Sequence, residues 1–498
     1  MTVSPTPKEN EVEQKRMADG THVHEGPSSH GILRRFSYLI SAHWIREAFQ
    51  TVFLIYLART NTTTFGEFML ALSLGQVLLF TSEYGLNQHL VTLLARGETT
   101  EDDAVSRVTT LKSLLLLCGW TAAVIFITLQ TYSPMLRAII LIIGTSVGAE
   151  ALASSFFVAF RMRGRQDLEG RLRATAAVFG FGFGIAAMFT GASPLWVSLF
   201  KPIETVMILL GSLRLAKEKV RVRLCRPSFD ALRSTGRASM VFVLMAVATS
   251  LYNKGNIFFL QQFGGAESVA QYSAAWQTVD GISALASNLL LANVIFPLLA
   301  GLWVSDRTTF QQISRNCTVW LLAVALPIVY FFWVESDRFI MLVYGGAYEQ
   351  AVWRQRLLAP TIAVAFLHNL AAYIMMSMGK AWLLLGFYLI GLVFNLLCCA
   401  LSIPASPLMG TCLSIVATKV LVGVLTFSYC QYRIGMISLK PLGQLAAAGC
   451  GGATAYLLLM NVLPRELIEI AGILPILILA LQWKRTRFAT TLPPLATG

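Results

Sequence analysis

Residues Phe36–Ala58 read FSYLISAHWIREAFQTVFLIYLA. About 20 mostly apolar residues span the hydrocarbon core of a bilayer, so this run is long enough to cross. Yet it carries His43, Arg46, Glu47 and Gln50. These sit at i, i+3, i+4 and i+7, which a helix gathers on one face. An arginine at the centre of a span costs about 2.5–3.5 kcal/mol on insertion scales. The stripe must therefore face protein or a water-filled cavity. Two readings stand: a helix–helix contact in which Arg46 and Glu47 are paired, or the wall of a polar translocation cavity.

Composition agrees with a membrane setting. The 498 residues are 55% hydrophobic and 13% charged, and the mean hydropathy is +0.63. Soluble domains carry about 25% charged residues. The net charge of +13 reads as the excess of Lys and Arg in cytoplasmic loops, not as nucleic-acid binding. The eight cysteines have no metal-ligand spacing and are read as packing residues. No cofactor and no metal is expected.

Hydropathy predicts an all-α polytopic protein of about 14 transmembrane helices. The spans run over 36–58, 67–90, 110–131, 137–160, 171–190, 193–216, 237–260, 270–300, 317–335, 357–378, 381–403, 407–430, 440–462 and 467–483. Residues 1–30, with His22, His24 and His30, read as a disordered cytoplasmic tail. There is no apolar h-region at the start, so no cleaved signal peptide is expected. Basic residues concentrate in alternate loops, Lys112 and Arg173 among them, which predicts both termini in the cytoplasm. The basic stretch 217–236 reads as a linker between a bundle at 31–216 and a second at 237–432, with a terminal helix pair and tail at 433–498.

The segment YLARTNTTTFGEFMLALSLGQ (56–76) resembles FLQQFGGAESVAQYSAAWQTVD (259–280). The offset is about 204 residues and both hairpins turn on the same side, so the repeats are parallel, related by an axis along the membrane normal. This predicts two six-helix bundles related by a pseudo-two-fold, plus the terminal pair. The polar stripe recurs accordingly. Ser250, Asn253, Lys254 and Gln261 share a face of span seven. Gln76, Glu83 and Asn87 do so in span two, and Gln277, Asp280 and Asn288 in span eight. Four such faces would line a central cleft. Other intramembrane charges are Glu150, Lys201, Glu204 and Lys419. Lys201 and Glu204, at i and i+3, can neutralise each other. Lys419 has no local acid, which suits a cavity. Glu150 could take a proton or a cation, or pair with an arginine.

Four stretches carry a family resemblance: FGEFMLALSLGQVLLFTSEYGLNQ (65–88), VAQYSAAWQTVDGI (269–282) with NVIFPLLAGLW (293–303), FIMLVYGGAYEQAVWRQRLLAP (339–360) and ALSIPASPLMGTCLSIVATKVL (400–421). In order and spacing they resemble the polysaccharide-type oligosaccharide-lipid flippases of the multidrug/oligosaccharidyl-lipid/polysaccharide exporter superfamily, over about residues 31–440. The family often places an Asp/Arg pair in span seven, where this chain has Asn253 and Lys254. The resemblance implies a transporter and not an enzyme, in a bacterial inner membrane. It would move a polyprenyl-diphosphate-linked oligosaccharide outward for envelope polysaccharide assembly. Its partners would be that substrate, membrane lipid, a coupling proton or Na⁺, and other polysaccharide-assembly proteins.

Physical chemistry suits this. A charged sugar headgroup cannot cross about 30 Å of hydrocarbon unaided. Moving a prenyl tail into water costs about 0.8 kcal/mol per CH₂, so the tail should stay in lipid. Arg46, Lys254 and Lys419 would attract the diphosphate. Gln50, Asn253, Gln277, Trp44 and Trp276 would suit sugar. Glu47, Glu83, Glu150 and Asp280 are the ion-coupling candidates. The competing readings are a cation-coupled multidrug antiporter, an envelope polysaccharide polymerase or ligase, and a non-transporting scaffold.

Overall fold

The computed structural model describes residues 29–487 except 84, 97–98, 223, 288–290, 292–294, 438, 460–461 and 463. Residues 1–28 of the expected tail and Asn288 lie outside the described residues, as does the His43 side chain, while 29 and 30 already belong to the first helix.

The described residues form no strand. Ten of the fourteen expected spans fall on single helices, and those at 67–90, 193–216, 270–300 and 357–378 each run across a break between two. The first half holds α1 (Ser29–Thr60), α2 (Thr62–Glu83), α3 (Leu86–Arg96), α4 (Glu101–Leu129), α5 (Pro134–Met162), α6 (Gln166–Phe189), α7 (Pro194–Ser198) and α8 (Phe200–Leu215). The second holds α9 (Phe229–Ala286), α10 (Phe296–Ser305), α11 (Arg307–Val334), α12 (Ser336–Val343), α13 (Glu349–Leu358), α14 (Thr361–Ser377), α15 (Ala381–Ser402) and α16 (Pro407–Ile434). The terminal pair is α17 (Leu439–Leu459) and α18 (Arg465–Arg487). Ten helices among the described residues are long and apolar enough to cross a membrane, or eleven if the bent pair Gly346–Leu358 and Thr361–Ser377 counts as one span. One of the ten, Phe229–Leu285, contains two expected spans. The chain is a multi-pass membrane protein.

Local chemistry sets the helix ends. Thr100 caps α4, accepting from the Asp103 amide, and Glu101, Asp102 and Asp103 occupy the positive first turn. Ser133 caps α5 ahead of Pro134. Asp306 caps α11 through the amides of Thr308 and Thr309. The two spans of α9 meet at Gly265, whose φ of 71° and ψ of −179° are open to glycine and strained for other residues.

Packing repeats between the halves. In the first, α8 packs on both α5 and α6; in the second, α16 packs on both α14 and α15. These are the helices that a parallel repeat equates. The broadest contact between halves is α2 against α9. It depends on Gly66: a Cβ there would lie 1.9 Å from the Ala266 carbonyl oxygen. Beside it, Phe65 packs on Tyr344 and Tyr348, with centroids 6.2 and 6.1 Å away. Tyr348 donates its hydroxyl to Ala58 O at 3.1 Å. Arg59 donates to Val343 O at 2.9 Å and to Leu342 O, the exposed carbonyl end of α12.

The terminal pair leans on α11. Arg465 grips Asp337 with two 2.7 Å bonds, and Tyr330 donates to Glu469 O at 3.2 Å. All eight cysteines are free.

Candidate functional site

Between the halves lies a cleft of three adjoining cavities, of about 310, 270 and 490 Å³. The helices that line it are those carrying the polar stripes. α1 contributes Trp44, Glu47 and Gln50, and α2 contributes Ser73, Gln76 and Phe80. The two spans of α9 contribute Asn253, Lys254, Gln277 and Asp280. α14 and α16 close one end with His368, Asn369 and Lys419.

Two lysines of the cleft converge on one carboxylate. Lys254 Nζ is 3.3 Å from Asp280 Oδ2, and Lys419 Nζ is 3.7 Å from Oδ1. Lys419 also lies 4.3 Å from the centroid of the Trp276 ring. That ring stacks on Tyr272 at 5.9 Å and 11°. Two ammoniums thus share one acid, and the aromatic face partly offsets the second ammonium. The neutral groups are held in place. Asn253 donates to Thr249 O at 2.9 Å, and Gln277 contacts Met69 Sδ at 3.3 Å. Glu47 faces the cleft and forms no ion pair with a described residue. Asp280 is engaged by both lysines.

Three candidate residues sit elsewhere. Arg46 does not line the cleft; its guanidinium turns into the first half, 2.6 Å from Glu204 and 2.9 Å from Glu150. Lys201 meets Glu204 at 2.8 Å and Glu150 at 3.3 Å, and Arg173 adds a contact to Glu150 at 3.5 Å. Glu150 is therefore enclosed by three cations inside one bundle. The stripe of α1 straddles a boundary: Glu47 and Gln50 look into the cleft while Arg46 looks into the bundle. Two carboxylates on distant helices reach it there, which helix periodicity within α1 does not encode.

Glu83 also departs from expectation. The face with Gln76, Glu83 and Asn87 presumed one continuous helix. The chain instead breaks at Gly85, where φ is 78°, and restarts as α3. Gln76 stays on the cleft. Glu83 and Asn87 turn toward Lys112, which is fully buried and not in a loop as expected. Lys112 Nζ donates to Asn87 Oδ1 at 2.7 Å, Ser154 Oγ at 2.5 Å and Ala151 O at 3.0 Å. Arg173, likewise expected in a loop, turns inward onto Glu150 and the Phe157 ring. His368 and Asn369 were missed; the His-Asn pair inside the apolar run of α14 was the available signal.

The family described as "polysaccharide biosynthesis protein" matches residues 32–303, more than half of the chain. The chain belongs to the polysaccharide biosynthesis protein family. The match covers α1 to α10, and with them every cleft residue except those on α12, α14 and α16. The chain's fold is similar to those of solved membrane transporters. It is similar to the lipid II flippase MurJ in an inward closed conformation, with a TM-score of 0.70 and 12% identity over 90% of this chain and 98% of that one. An inward-facing multidrug resistance MATE transporter gives 0.62 and 14%, over 78% and 94%. A superfamily transporter from Pyrococcus furiosus, described by the reverse polarity of its binding pocket, gives 0.54 and 13%, over 80% and 95%. At these identities the likeness concerns the fold. No curated protein matches the sequence significantly.

Proposed function

We propose that the protein is a flippase for a polyprenyl-diphosphate-linked oligosaccharide, moving its headgroup from the cytoplasmic to the outer leaflet of a bacterial inner membrane. The product would feed envelope polysaccharide assembly. The observation that carries this is the pair Lys254 and Lys419 sharing Asp280 beside Trp276, in a cleft between two halves of a transporter fold. An anion entering the 310 Å³ cavity meets two lysines and one carboxylate, Asp280. A diphosphate suits two ammoniums, and a sugar suits an indole face with Gln50, Asn253 and Gln277. Rocking of the halves would expose the cleft alternately, with both termini in the cytoplasm. Arg46 and Glu150 would then act as the rigid interior of the first bundle. Glu47, which has no described ion-pair partner in the cleft, is the better seat for a coupling proton or Na⁺.

The test is flipping in reconstituted liposomes. A fluorescent prenyl-diphosphate oligosaccharide is scored for outer-leaflet exposure with the parent protein, Lys254→Ala and Lys419→Ala. Protein-dependent exposure that both variants lose supports the reading. Exposure at the parent rate in both variants ends the cationic-cleft idea. Gradient-driven uptake of a lipophilic cation without lipid exposure would favour the antiporter.

A further inference from the structure

His368 lines the same 310 Å³ cavity as Lys254, Asp280 and Lys419, and the transport reading leaves it without a role. Its surroundings fix its protonation chemistry. Nδ1 lies 3.0 Å from Thr426 Oγ1. The Thr426 hydroxyl has one proton, and it points back along its own helix, 2.8 Å from Val422 O and 3.1 Å from Gly423 O. With its proton on those carbonyls, that oxygen accepts from the ring. The neutral imidazole therefore carries its proton on Nδ1, and Nε2 is a bare acceptor. Nε2 makes no hydrogen bond to a described residue. The Tyr388 ring, edge-on at 5.6 Å and 70°, holds the imidazole in this orientation.

The charged groups that share the cavity are Lys254 and Asp280 from α9 and Lys419 from α16. From α15 the Tyr388 ring packs on His368, and the α2 residue lining this cavity is the apolar Phe80. With two ammoniums against one carboxylate, a third cation is disfavoured while the cavity holds no anion. An entering anion reverses that balance. We infer that His368 is a proton-accepting residue of the anion site: Nε2 takes a proton from cleft water when a diphosphate enters, donates it as a hydrogen bond to a phosphoryl oxygen, and returns it on release. The inference rests on the diphosphate reading above. Linkage gives the sign: the anion binds tighter as pH falls and weaker as the imidazole loses its proton at higher pH.

The probe is P1-farnesyl-P2-methyl diphosphate, a diester whose own charge is constant from about pH 6 to about pH 8, a range in which histidine titrates. Calorimetry on the purified full-length protein, in two buffers of different protonation enthalpy, reads proton uptake directly. Uptake approaching one proton per ligand, with affinity about five- to tenfold higher at the acidic end, is expected. His368→Gln keeps a donor for Thr426 and should bind with pH-independent affinity near the parent's weak limit. Binding by the parent with no proton uptake overturns the inference and leaves the diphosphate reading standing. Uptake that persists in His368→Gln also overturns it. No binding at either pH brings down the diphosphate reading, and the inference with it. If His368→Gln does not fold, His368→Asn is measured in its place, with the same two outcomes.

Discussion

Arg46 Nε lies 2.6 Å from Glu204 Oε1, and the far side of the same guanidinium is 2.9 Å from Glu150. One cation on α1 thus holds together α5 and α8 in the interior of the first bundle. Both acids are buried, so Arg46→Ala removes their shared cation and leaves Glu204 with Lys201 and Glu150 with Lys201 and Arg173. Removing one partner of a buried pair typically costs about 3–5 kcal/mol. The expected outcome is a lowered Tm and reduced yield of folded protein in detergent. Arg46→Met with Glu204→Gln should recover part of the loss. If Arg46→Ala instead keeps the parent Tm and loses only ligand binding, Arg46 belongs to the site.

The cleft lysines should behave differently. Lys419→Ala leaves Asp280 paired with Lys254 and uncovers the Trp276 ring on the cavity side, so Tm should change by no more than a few degrees. Diphosphate affinity should fall about tenfold, equivalent to about 1.4 kcal/mol. Asp280→Asn frees both lysines and should tighten binding while slowing release. Titration of the prenyl diphosphate diester against each variant checks both signs.

Accessibility offers a separate check on the stripe. Asn253 lines two of the three cavities. A cysteine at position 253, in a background without native cysteines, should react with a membrane-impermeant thiol reagent, and bound diphosphate ligand should slow the reaction. Protection under all conditions would mean a packed face.

Gly66 gives a steric prediction. Its missing Cβ would overlap the Ala266 backbone oxygen, which cannot swing aside as a side chain can. Gly66→Ala should push α2 from α9 and destabilise by about 1–3 kcal/mol, the usual range for overpacking. Gly386, in α15, has no atom within 4 Å of where its Cβ would stand. Gly386→Ala should be neutral or add up to about 1 kcal/mol of helix propensity. Thermal unfolding of both variants tests the contrast.

The anchor of the terminal pair should be acid-labile. Hydrogen bonds from Arg465, then its charge, hold the Asp337 carboxyl well below the usual carboxylate range. A depressed carboxylate contributes stability that is complete above its unfolded value of about 4 and lost as pH falls below it. Glu335 works in the opposite sense, because burial and then Glu469 push it up. The bidentate Asp337 contact should dominate. Hydrogen exchange in residues 465–487 should therefore speed up between about pH 6 and about pH 3 beyond its intrinsic trend. Asp337→Asn should show the faster exchange already at pH 6 and little further change.

The sequence alone determined that the chain is helical and crosses a membrane many times, and it pointed to polar stripes on helices that line the cleft. Apolar run length, the positions of charge, and the repeat of residues 56–76 near 259–280 are local properties of the chain, and each limits structure directly. The resemblance carried by residues 65–88, 269–303, 339–360 and 400–421 pointed to the family that the match over 32–303 shows. What only the tertiary structure decided is which polar residue faces which space. Arg46 and Glu47 are neighbours in sequence, yet one is locked to acids 104 and 158 residues away while the other faces the cleft. Asn87 left the face of Gln76 because Gly85 breaks the helix, and Glu83, at the last position of α2, turns to Lys112. Lys112 lies inside a bundle because Asn87, Ala151 and Ser154 supply its hydrogen bonds. A buried charge is stable only where partners satisfy it, and those partners come from helices whose nearness is set by packing.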